Sequence, residues 1–148
     1  MGHRVQITHR FEFSAAHRLE CAELDEEQNL RLYGPCYTDH GHNYEVEVTV
    51  VGEVDAQTGM VMNLADLAEI VRRRLFEPVD HKHLNRDVPF LEGIVPTAEN
   101  VAVAFWNEVE PEIRPIEGCR LHRIRIYESR ANFVDYLGEE SPGSSASS

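Results

Sequence analysis

Between residues 4 and 13 the odd positions Val5, Ile7, Phe11 and Phe13 are apolar, while Arg4, Gln6, Thr8, Arg10 and Glu12 between them are polar. A period of two marks a strand with one buried face, because successive side chains on an extended backbone point to opposite sides. The alternation returns between residues 44 and 50, where Tyr44, Val46, Val48 and Val50 alternate with Glu45, Glu47 and Thr49. Two half-buried strands this close together need a second layer to cover their apolar side.

The middle of the chain supplies that layer. Residues 55–59 are turn formers, and Asn63 is placed to cap a helix carrying Leu64, Leu67, Ala68, Val71 and Leu75, which Pro78 is expected to end. Thr97 is the expected cap of a second helix with an apolar stripe of Val101, Ala102, Phe105 and Val109, closed by Pro111. Two further strands are predicted over residues 121–128 and 131–137, joined at Ser129 and Arg130. The order ββααββ favours an α+β fold, with an antiparallel four-stranded sheet and both helices on one face. Such a sheet has edges to cover, so a homo-oligomer is expected.

At 148 residues the chain fits one domain, expected over residues 1–137. Residues 138–148, rich in Glu, Ser, Gly and Ala, have nothing to bury and are expected to form a disordered tail. The net charge of −12, with Lys82 the only lysine, argues against nucleic acid as a partner. No apolar run is long enough for a membrane helix, and the start shows no secretory pattern, so a cytoplasmic location is expected. The odd set Cys21, Cys36 and Cys119 fits reduced thiols, one of which is available for chemistry.

The densest chemical signal is the run from Gly34 to Tyr44, containing Cys36, His40, Gly41 and His42. Two histidines one residue apart on a strand project to the same side, and imidazole nitrogens suit zinc. If the first two strands pair antiparallel, His17 at the exit of one lies beside His40 and His42 at the entry of the other. Three ligands with one open position describe a catalytic zinc site, whereas Cys36 as a fourth ligand would close it into a structural one; spacing leaves both open. Iron or nickel would also fit three imidazoles. Asp80 beside His81 is suited to tuning a proton relay, provided the pair meets Cys36 in space. Glu128 ends a strand whose same-parity neighbours Ile124 and Ile126 face inward, which makes it either a rim residue or an acceptor for a bound polar group. His122 in the same strand is read as structural, and Cys21, Cys119, His3 and His9 receive no role.

Taken together, Phe13-Ser14-Ala15-Ala16-His17, Cys36 three residues before His40-Gly41-His42-Asn43, residues 59–64, Asp80 to Asn85, residues 96–100 and Tyr127-Glu128 closely resemble the 6-pyruvoyl-tetrahydropterin synthase family, which includes the 6-carboxy-tetrahydropterin synthases of the queuosine pathway. The resemblance covers about residues 5 to 138 and implies the tunnelling fold, in which trimeric barrels stack into a homohexamer with sites between subunits. It implies a zinc-dependent lyase acting on 7,8-dihydroneopterin triphosphate. Carried over residue by residue, it makes His17, His40 and His42 the Zn2+ ligands and Cys36 the proton acceptor. Asp80 and His81 become the relay, Glu128 the pterin anchor with a share in that relay, and Thr97 a pterin contact. Arg10, Arg18 and Lys82 are candidate donors to the triphosphate. The three-residue gap between Cys36 and His40 resembles the carboxy-forming members, so 6-carboxy-tetrahydropterin is the expected product. Residues 59–64, 80–89 and 99–106 look more like the pyruvoyl-forming enzymes of tetrahydrobiopterin synthesis, the alternative. A non-catalytic pterin- or zinc-binding module, with Cys36 as fourth ligand, is the alternative of another class.

Overall fold

The computed structural model describes residues 2–139. Strand β1 (Arg4–His17) is followed by a short helix α1 (Glu26–Tyr33), a tight turn at Gly34–Tyr37 and strand β2 (His40–Glu53). Helix α2 (Leu64–Val71) runs through a π turn at Arg72–Phe76 into α3 (Glu77–Val79), and the two-residue strand β3 (Lys82–His83) follows. Helix α4 (Ala98–Ile113) and strands β4 (Cys119–Tyr127) and β5 (Phe133–Tyr136) complete the chain. Among the described residues no helix is long and apolar enough to cross a membrane.

The ββααββ frame is present with two additions. The sheet has five strands in the order β3-β1-β2-β4-β5; its four long members are antiparallel, and β3 adds to the β1 edge in parallel. Helix α1 stands between β1 and β2, started by a capping box in which Asp25 and Gln28 bond each other's backbone amides. The alternation predicted for β1 and β2 sets the core: Phe13, Tyr44, Val46, Val48 and Val50 are buried on one face with α2 and α4 against them. Tyr44 stacks on Phe13 with ring centroids 4.7 Å apart.

Two expected helix ends move. Pro78 does not stop the first helix before Val79, because the π turn rephases the ladder and leaves Pro78 in the first turn of α3, where a missing N–H costs least. Pro111 lies inside α4, which continues to Ile113. Val109 and Ile113 are both fully buried one turn apart, and that burial holds the last turn together despite the lost backbone bond.

The register between β2 and β4 shifts by one residue at Thr49 and Val50, leaving His122 as the extra residue of a bulge. Leu121 therefore turns inward along with Ile124 and Ile126, and His122 stays half-buried on the other side. Gly138, the first residue of the expected tail, lies against Trp106, so that a Cβ there would come 2.6 Å from Trp106 Cζ2. Residues 140–148 of that expected tail lie outside the described residues.

Candidate active site

Antiparallel pairing of β1 and β2 puts His17 directly opposite His40, with Ala15 opposite His42. Alternation turns His40 and His42 to the side that Tyr44 occupies, and His17 to the side of Phe13, so all three rings converge at the end of the apolar face. Their ligand nitrogens lie within 4.8 Å of one another. Ring centroids are 4.5 Å apart for His17 and His40, 5.1 Å for His17 and His42, and 4.9 Å for His40 and His42.

Two of the rings are oriented by backbone carbonyls. His17 Nδ1 donates to the Pro96 carbonyl at 2.9 Å, and His40 Nδ1 donates to the Thr38 carbonyl at 2.7 Å. A carbonyl only accepts, so Nε2 of each neutral ring is left unprotonated, as it is when an outer hydrogen bond orients a metal-ligating histidine. His42 Nε2 is buried and has no hydrogen-bond partner. Burial lowers the His17 pKa to about 4 and also depresses that of His42, so both rings stay neutral at physiological pH. Three imidazoles with converging nitrogens, one of them buried without a partner, fit a divalent cation. The Tyr44 hydroxyl sits 3.3 Å from His17 Nδ1 and 3.4 Å from Nε2, and burial keeps it protonated.

Cys36 lies in the turn Gly34–Tyr37, and its carbonyl accepts from the Leu19 amide at 2.8 Å. Its sulfur does not join the three nitrogens within their 4.8 Å set, which weighs against a closed four-ligand site. Glu128 Oε1 is 3.9 Å from His42 Nε2, so the expected anchor borders the triad. Thr97 caps α4 through its hydroxyl, which accepts from the Asn100 amide at 3.2 Å, one residue after the carbonyl that fixes His17.

Asp80 and His81 form the expected pair, Nδ1 to Oδ2 at 2.7 Å. Burial works to raise the Asp80 carboxyl, but the Ser14 amide and the His81 ring outweigh it and hold the pKa below the usual carboxylate range. His81 has a positive φ of 60° and a side chain 81% exposed. Among the described residues no hydrogen bond or ion pair joins this pair to Cys36. His81, His42, Ser14 and Asn43 all line an open cleft of about 590 Å³.

One cluster escaped the sequence reading. His83 Nε2 donates to Asp39 Oδ1 at 3.1 Å and Arg86 Nη2 to Asp39 Oδ2 at 3.2 Å, which ties the turn before His40 to the segment after Asp80. The residues are 44 and 47 positions apart along the chain, and no local spacing announces such a contact.

Residues 6–139 match the family model of 6-pyruvoyl tetrahydropterin synthase. The chain belongs to the 6-pyruvoyl tetrahydropterin synthase family. It is 46% identical over 138 residues to the 6-pyruvoyl tetrahydrobiopterin synthase of Homo sapiens, covering 92% of this chain and 93% of that one. It is 24% identical over 147 residues to the 6-carboxy-5,6,7,8-tetrahydropterin synthase of Rickettsia bellii, covering 88% and 99%. The Caenorhabditis elegans 6-pyruvoyl tetrahydropterin synthase structure superposes with a TM-score of 0.84 at 34% identity, covering 93% of this chain and 98% of that one. The expected tunnelling fold is thus borne out, and the family is one of pterin-processing enzymes.

Proposed function

We propose that this family member is a zinc-dependent lyase that converts 7,8-dihydroneopterin triphosphate to 6-pyruvoyl-tetrahydropterin with release of triphosphate. The observation that carries the metal part is the orphaned, buried Nε2 of His42 within 4.8 Å of the ligand nitrogens of His17 and His40. Zinc held there would supply Lewis acidity to the hydroxyls of the substrate side chain, lowering the cost of removing the neighbouring proton.

The chain's own residues do the rest. Cys36, outside the ligand set, is free to act as thiolate and take that proton. Glu128 accepts two hydrogen bonds from the pterin amino group and ring N–H, which fixes the ring beside His42. Thr97, at the start of α4, borders the pterin. Asp80 and His81 relay the proton. Among the described residues no hydrogen bond or ion pair joins them to Cys36, and His81 projects outward, which supports a reading in which the relay pair of one subunit serves the Cys36 of its neighbour. On that reading the site lies between subunits of a homo-oligomer, a hexamer on the family pattern, and we assign the reaction to the cytoplasm.

The choice of product rests on likeness across nearly the whole chain, 46% to a pyruvoyl-forming relative against 24% to a carboxy-forming one. The 6-carboxy product remains the second reading, favoured by the three-residue gap between Cys36 and His40. Incubating zinc-loaded protein with dihydroneopterin triphosphate and identifying the product by mass separates the two, and absence of conversion would sink both.

A further inference from the structure

One short segment grips the backbone on both sides of His17 and the residue just before His40. The Leu84 amide donates to the Ala16 carbonyl at 2.8 Å. Asn85 takes Arg18 twice, accepting from its amide at 2.9 Å and donating to its carbonyl at 2.8 Å. His83 and Arg86 hold the two oxygens of Asp39. The His83 ring is set for that task, because its Nδ1 accepts from the Asn85 amide at 3.3 Å and so leaves the proton on Nε2, facing Asp39.

None of these contacts is needed to pair the strands, since β1 and β2 are already in register from Arg4 and Glu53 onward. They matter because His17 and His40 form the last pair of that ladder, where strands fray. Ligand distances at a metal tolerate only about 0.2 Å, so a terminal pair needs support from outside the ladder. His42 sits two residues inside and needs none. The short gap to Cys36 is fixed at both ends, with Leu19 holding the Cys36 carbonyl and His83 holding Asp39.

We propose that residues 83–86 form a bracket that sets the separation of His17 and His40 for the cation held by the triad, with Asp39, His83 and Asn85 as its positioning residues. The inference rests on the metal reading of the triad given above. The test loads cobalt(II) into the full chain and into Asp39→Ala, Asp39→Asn, His83→Leu and His83→Gln, reading affinity by chelator competition and geometry by the visible ligand-field spectrum.

Asp39→Ala and His83→Leu should bind cobalt about 10–100-fold more weakly, with an altered spectrum. Asp39→Asn and His83→Gln, which keep a hydrogen-bonding group, should recover most of the loss. Asp39 is 49% exposed, so its variants fold and remain decisive even where a change at the half-buried His83 does not. Unchanged affinity and spectrum in Asp39→Ala would overturn the bracket alone. A wild-type chain that takes up no cobalt would overturn the metal reading, and the bracket with it.

Discussion

His17 donates its Nδ1 proton to the carbonyl of Pro96 at 2.9 Å, so a turn 79 positions away decides which nitrogen of the ring faces His40 and His42. The same turn starts α4 through the Thr97 cap, which joins the orientation of a ligand to the docking of the helix layer. His17→Ala would leave the Pro96 carbonyl and the Tyr44 hydroxyl unpartnered beside a new cavity. Urea unfolding of the metal-free protein should show a loss of about 2–4 kcal/mol. Tyr44→Phe, which keeps the ring stacked on Phe13, should cost only about 1 kcal/mol.

Among the described residues Cys36 makes no hydrogen bond or ion pair with Asp80 or His81, and complementation tests directly the proposal that neighbouring subunits share the site. Cys36→Ala and His81→Ala proteins should each be inactive alone yet retain zinc. Unfolded together and reassembled, they should regain about a quarter of wild-type activity, because random mixing gives that share of sites both intact groups. Mixed oligomers that stay inactive would place the relay and the thiol in the same subunit.

Glu128 stands 3.9 Å from His42 but outside the ligand set, and on the proposed reading it serves the pterin rather than the metal. Glu128→Gln should raise KM for the pterin by about 10–100-fold, the worth of hydrogen bonds to a charged acceptor, and leave zinc content unchanged. A variant that lost zinc with KM intact would make Glu128 a ligand support instead.

Gly52 is opposite Cys119 at the far end of β2, and a Cβ there would run into the Gly118 carbonyl, 2.9 Å from Val61 Cγ1 and 3.0 Å from Cys119 Cβ. The first obstacle is backbone, which cannot swing aside like a flexible side chain. Gly52→Ala should therefore destabilise by about 1–3 kcal/mol in thermal or urea unfolding, with metal affinity at the opposite end of the strand unchanged.

What the sequence reveals here follows the range of the interaction. Alternation in residues 4–13 and 44–50 is local and strong, and it yields the strands, their buried face and the meeting of His17 with His40. The capping box of Asp25 and Gln28 is also local, and it would have announced α1. The bulge at His122 is different: it reverses the parity of Leu121 against Ile124, and counting alone cannot see an extra residue whose partner strand is not in view. Proline proved a weak stop, because the π turn leaves Pro78 in the first turn of α3 and, at 111, burial of Ile113 outweighs one lost backbone bond. The Asp39–His83–Arg86 cluster depends on tertiary contact throughout and has no local signature.

Glu112 on α4 receives hydrogen bonds from Arg73 and Arg74 of the π turn, and these pull its carboxyl from the ordinary 4.5 down to about 2. In the unfolded chain the group takes up its proton as the pH falls through 4.5, whereas the folded protein resists until about 2. Between those values the unfolded state binds more protons, so the contribution is complete above pH 4.5, fades as the pH falls, and is gone below about 2. Solvent screens the pair and limits it to about 1 kcal/mol. Glu112→Gln should therefore be less stable than the wild type by about that amount at pH 7. The gap should close as the pH falls through that window, and it should narrow at pH 7 in 1 M salt, about a 3 Å screening length. A gap that persists at low pH and in salt would mean that the side chain acts through packing rather than charge.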